Sequence, residues 1–154
     1  MSSREGAPTM TSFAILFLIA IIGGAAVTLQ GQFMGLMDQG LGTRESVFIT
    51  YAGGGLLVGL AMLAARGGNL RAWQGVPWYA LSAGALGLLI VGIIGYTVPR
   101  LGLSTAFTIM VASQFIMASI LDHFGLLGAV ARPMELSRLA GVGVLIFGVW
   151  LMTR

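Results

Sequence analysis

Of 154 residues, 57% are hydrophobic and only 8% are charged, with a formal net charge of +3 and a mean hydropathy of +0.96. Soluble domains carry about 25% charged residues, so this composition excludes a water-facing globular surface and makes the lipid bilayer the expected surroundings. There is no cysteine, one histidine, and every positive charge is an arginine standing apart from the others; this excludes disulfides, thiolate chemistry, a multi-histidine metal site and a basic nucleic-acid face, so no metal, cofactor or nucleic-acid partner is expected.

The charges punctuate the chain, leaving residues 6–37, 46–65, 72–99, 101–121 and 139–153 uncharged. Crossing roughly 30 Å of hydrocarbon takes ~20 mostly apolar residues. The intervals predict an all-α integral membrane protein of five transmembrane helices near 12–32, 46–65, 77–98, 102–122 and 138–153, one transmembrane domain over 1–154. At the start, Arg4, the apolar run from Phe13 to Ile22 and Gly24-Ala25-Ala26 imitate a cleavable signal peptide. Apolarity continues through Val27 and Leu29, so the segment is expected to stay as a span. Asp38 and Glu45 fall in the first predicted loop. Pro77 suits the first turn of the third helix, where its missing N–H costs nothing. Pro99 is expected to end that helix, with Arg100 and Gly102 turning into the fourth. Trp73, Trp78 and Tyr79 sit where an aromatic belt belongs. The fifth segment is short, since 15 uncharged residues rise only about 22 Å. Arg138 and Arg154 can snorkel outward and Trp150 can anchor, which favours a short span over a re-entrant loop.

Glycine, 24 of 154 residues, is about twice its usual ~7%. In lipid, small residues let helix backbones approach. Gly55 and Gly59 form a GxxxG pair, and Gly84 and Gly87 open a second run; close helix packing is expected of all four. No carboxylate is predicted in the middle of a span, which argues against proton antiport by a buried glutamate. The interior instead holds amides and hydroxyls. Gln114 sits mid-way along the fourth helix beside Ser113, and its amide must face protein or a cavity, either bridging helices or touching a solute. Gln30 lies late in the predicted first helix with the same two readings, while Gln32 reads better as interfacial. Thr108 and Tyr96 complete the candidate solute-contacting set, with Tyr51, Thr50 and Thr97 as further polar positions. Ser119, Asp122 and His123 do not make a hydrolytic triad, because Asp122 lies about 100° round the helix from His123. A capping or interfacial role is expected of Asp122 and His123, and no enzymatic activity.

Val111-Ala112-Ser113-Gln114, then Leu121-Asp122-His123-Phe124-Gly125 and Arg132-Pro133, resemble the small YdcZ-like family of the drug/metabolite transporter superfamily. Leu29-Gln30, Gly95-Tyr96 and Leu101-Gly102 extend the resemblance over nearly the whole chain. The chain departs at Met34, where many relatives carry Asn, and at Ser113, where many carry Gly. The resemblance implies transport in the inner (plasma) membrane without naming a cargo. It also implies half of a ten-helix bundle built from two inverted five-helix repeats, hence an antiparallel homodimer or a heterodimer with an inverted homologue.

Three functions fit this reading. The first is a small-solute transporter working by alternating access, with Gln114 and Gln30 lining its cavity. The second is a dual-topology passive channel, and the third a structural or regulatory membrane subunit whose glutamines only hold helices together. Arg4, Arg66, Arg71, Arg132 and Arg138 fall on one side of the predicted topology and Arg44, Arg100 and Arg154 on the other. Five against three is a mild bias towards an N-terminus inside, compatible with insertion both ways.

Overall fold

The computed structural model describes residues 10–154, so Arg4 lies outside the described residues. Five helices follow one another: α1 (Met10–Leu41), α2 (Thr43–Ala64), α3 (Ala83–Leu101), α4 (Leu103–Phe124) and α5 (Leu136–Met152). Short 3₁₀ turns at Leu70–Gly75 and Trp78–Ser82 lead into α3, and Leu126–Gly128 follows α4. No strand occurs among the described residues. Four segments are long and apolar enough to cross a membrane: Phe13–Leu41, Thr43–Ala64, Trp78–Leu101 and Leu103–Phe124. α5, with 17 residues, rises about 25 Å and is the short one.

Three boundaries differ from the sequence expectation. The third helix begins at Ala83, not near residue 77, so Pro77 stands outside its first turn, at ψ 135° ahead of the 3₁₀ turn Trp78–Ser82. The first helix does not stop near residue 32 but runs to Leu41, which places Asp38 in α1 and Glu45 in the first turn of α2. A loop is unnecessary because one residue, Gly42 at φ 104°, ψ 162°, makes the whole turn, in backbone space that side-chain-bearing residues avoid. Pro99 does not end the third helix, which continues to Leu101. The Gly102 N–H closes the last turn onto the Val98 carbonyl (3.0 Å) beyond the proline, so the helix continues past it at the loss of the one ladder bond that the N–H of residue 99 would have made.

The turn into α4 repeats the first. Gly102, at φ 80° and ψ 153°, alone separates α3 from α4. Gly42 N–H donates to Asp38 O (3.0 Å) and Ser46 N–H to Gly42 O (3.1 Å); Gly102 and Ala106 make the matching bonds to Val98 and Gly102. Because the helices alternate in direction, both glycine turns lie at the same end of the bundle.

Packing is concentrated in the half next to these turns. α1 lies chiefly against α3 and α2, and α4 bridges α3 to α5, which touches no other helix among the described residues. Met34, Val91, Ile94, Val98 and Ala106 form the core, joined by Ser46, whose hydroxyl donates to the Met34 carbonyl (3.3 Å). Neighbouring side chains press on the backbone at Gly31, Gly35 and Gly87, while Gly95 is in ordinary contact with Met34 (3.4 Å). A Cβ at Gly31 would stand 2.6 Å from the Phe107 ring, and one at Gly35 3.0 Å from Val98. Gly87 lies against Tyr51. Gly55, Gly59 and Gly84, expected to pack, have nothing within 4 Å of a Cβ, so among the described residues they make no close helix contact.

Candidate functional site

The glycine turns set the depth of everything else. Gln30 precedes Gly42 by twelve residues and Gln114 follows Gly102 by twelve, so each amide lies roughly 18 Å from the turn end of the bundle. In ~30 Å of hydrocarbon that is near the midplane. Both residues are on exposed faces of the single chain. Gln30 lines a groove of about 400 Å³ between α1 and α2 with Thr50, Met34 and Met37. Gln114 is on α4, four residues before Ala118 and on the same face. The chain does not bring the two glutamines into one pocket.

The remaining candidates are dispersed. The Ser113 hydroxyl donates to the Ile109 and Met110 carbonyls (both 2.9 Å), and Thr108 to the Ser104 carbonyl (2.7 Å), so both spend their protons on their own helix. Tyr96 borders a separate groove of about 490 Å³ between α2 and α3, beside Thr43, Arg44 and Gly92. Its ring lies under the Arg100 guanidinium, 3.7 Å from the centroid.

A cleft of about 670 Å³ separates α4 from α5. Phe115, Ala118, Ser119, Val142 and Leu145 form its walls, and Asp122 and Arg138 stand at one end. Arg138 Nη1 is 3.6 Å from Asp122 Oδ2, with both side chains about 40% exposed (37% and 41%). Asp122 and His123 also hold the connection to α5. The Arg132 N–H donates to the Asp122 carbonyl (2.8 Å), and the Met134 N–H donates to His123 Nδ1 (3.1 Å). His123 faces Phe124 edge-on, and Gly125, left-handed at φ 61°, ends α4. Among the described residues no group of three or more histidines and carboxylates could hold a metal ion.

One polar feature escaped the sequence reading. Asp38, expected in a loop, is held inside the turn end: Arg100 Nη1 donates to Oδ2 (3.3 Å) and the Thr43 hydroxyl donates to Oδ1. The Asp38 side chain is 7% exposed and that of Arg100 49%. This clamp ties the α1–α2 turn to the end of α3. Met34 is 1% exposed at the centre of the core, where it packs as well as bordering the Gln30 groove.

A family model described as "Putative inner membrane exporter, YdcZ", of the DMT type, matches residues 15–151. No curated protein and no solved structure gives a significant match. With four spanning helices, a short fifth and a family match from α1 to α5, the chain belongs to the YdcZ family of inner-membrane exporters and is a membrane transporter of the drug/metabolite type.

Proposed function

We propose that the chain exports a small polar or amphipathic solute by alternating access, working as an antiparallel pair of copies or with an inverted homologue. The common depth of Gln30 and Gln114 carries this reading. An amide facing hydrocarbon leaves its donors and acceptors unpaired at a cost of several kcal/mol (roughly 2–7), so these faces need protein or a water-filled cavity beside them. A two-fold axis in the membrane plane keeps midplane groups at the midplane. An inverted copy therefore brings its own Gln30 and Gln114 to the level of the first pair, giving four amides at one depth, the depth at which inverted-repeat transporters bind solute. Among the described residues no carboxylate stands at this depth: Asp38 is four residues from Gly42, and Asp122 is in the last turn of α4. A solute site at this depth therefore recognises its solute through amides and hydroxyls.

The test is flux into proteoliposomes across a panel of polar and amphipathic solutes, with Gln114→Leu beside the native chain. Saturable flux whose apparent affinity weakens several-fold in the variant, at unchanged thermal stability, supports the reading. Non-saturating flux indicates a passive channel. Folded, paired protein with no flux for any solute indicates a structural subunit. Single cysteines placed in the loops of this cysteine-free chain and labelled from each side test the antiparallel arrangement. Labelling of one orientation only, with no co-purifying partner, removes it.

A further inference from the structure

The cleft between α4 and α5 opens at the other end of the bundle from the glycine turns and reaches inward to Phe115, next to Gln114, and its charges stand at its outer end. Asp122 and Arg138 stand at the end of the bundle opposite the glycine turns. From Asp122 back to Phe115, and from Arg138 forward to Leu145, is seven residues each, so the two walls run about 10 Å from the interface towards the midplane. The walls are apolar, except for Ser119 one turn in from Asp122. Gly141, also lining the cleft, has nothing within 4 Å of a Cβ position, which leaves the groove open on the α5 side. The volume, about 670 Å³, is within the ~300–1,000 Å³ range of sites that enclose small ligands.

The head of the cleft is under-bonded. At 3.6 Å the Asp122–Arg138 contact is too long to count as a hydrogen bond. A carboxylate offers about four acceptor sites and a guanidinium five donors. Both groups therefore keep spare capacity, of opposite sign, side by side at headgroup level.

We infer that this cleft is a binding site for one zwitterionic phospholipid of the surrounding leaflet, of the phosphatidylethanolamine class. One acyl chain lies between α4 and α5. The primary ammonium donates to the Asp122 carboxylate, and the phosphate accepts from the Arg138 guanidinium, the donor geometry that suits it best. An anionic lipid without an amine meets Asp122 with the wrong charge. A quaternary ammonium has no N–H to donate. The headgroup order follows: phosphatidylethanolamine before phosphatidylcholine and phosphatidylglycerol of the same chains.

Native mass spectrometry of the full chain, released from detergent after titration with these three lipids, tests the site. Expected is one phosphatidylethanolamine retained per chain, with about tenfold weaker retention in Asp122→Asn, the effect of losing one charge-assisted hydrogen bond. Because Asp122 sits beside the α4–α5 connection and its loss can disturb the fold, Gly141→Leu is the second variant. It fills the cleft from open space, leaves both charges in place, and is expected to abolish the bound lipid while melting like the native chain. A phosphatidylethanolamine carrying a photoreactive acyl chain should label peptides from α4 and α5. Retention without headgroup preference, lipid binding intact in folded Gly141→Leu, labelling confined to other helices, or capture of a second copy of the chain by a photoreactive residue at position 141 would each overturn the assignment.

Discussion

Gly31→Ala and Gly24→Ala place the same methyl group on the same helix, seven residues apart, with opposite expected outcomes. At Gly24 nothing lies within 4 Å of the new carbon, so the variant gains helix propensity, up to about 1 kcal/mol. At Gly31 the new Cβ stands 2.6 Å from two Phe107 ring carbons and 3.2 Å from Ile94 Cγ2. Carbon pairs settle near ~3.5–4.0 Å, so the Phe107 ring must retreat by about 1 Å from a site packed by α1, α3 and α4. Overpacking of this kind costs roughly 1–3 kcal/mol, which outweighs the propensity gain. Gly31→Ala is expected to be about 1–3 kcal/mol less stable than Gly24→Ala. Unfolding in mixed micelles by increasing dodecyl sulfate, followed by far-ultraviolet circular dichroism, measures the difference. Phe107→Leu in the Gly31→Ala background should recover part of the loss, since residues in contact couple. Equal unfolding midpoints for the two alanine variants would mean that α1 does not pack against Phe107 through Gly31, and the reasoning would be wrong.

Three further outcomes are expected. A double-mutant cycle of Asp38→Ala and Arg100→Ala should give a coupling of about 1 kcal/mol, between the values for exposed and buried pairs, because Asp38 is 7% and Arg100 49% exposed; additive losses would show that the clamp across the glycine turns contributes nothing. Gly55→Leu should leave the melting of the single chain unchanged, since nothing lies within 4 Å. A fall in cross-linked dimer would assign the Gly55/Gly59 face to the second copy, and an unchanged dimer would leave that face to lipid. His123→Ala removes the acceptor of the Met134 N–H and should cost roughly 1 kcal/mol, read as faster hydrogen exchange at the Met134 amide; exchange at the native rate would show that His123 does not hold the α4–α5 connection.

The membrane setting and the number of helices were legible in the sequence, because hydrocarbon tolerates few charges and a span has a minimum length. Arg44, Arg66, Arg100 and Arg138 all lie at or near helix ends, which is why uncharged intervals located the spans so well. The same rule misplaced Asp38. A charge reads as a loop in one dimension, but Arg100, 62 residues away, neutralises it inside the turn end. An end near residue 32 makes Gln30 late in its helix; with α1 extended to Leu41 it stands twelve residues from the turn end, as Gln114 does. The glycines divide in the same way. Their abundance announced close packing, yet Gly31, Gly35 and Gly87 make it while Gly55, Gly59 and Gly84 face open space, because a helix has glycine on whichever face its neighbours require and spacing along one chain does not name the neighbour. Local rules of hydrophobic length and charge therefore determined what kind of protein this is. Which polar groups share a depth, which pair, and which stand open to a ligand or a second copy was decided only when α1 and α3 packed side by side.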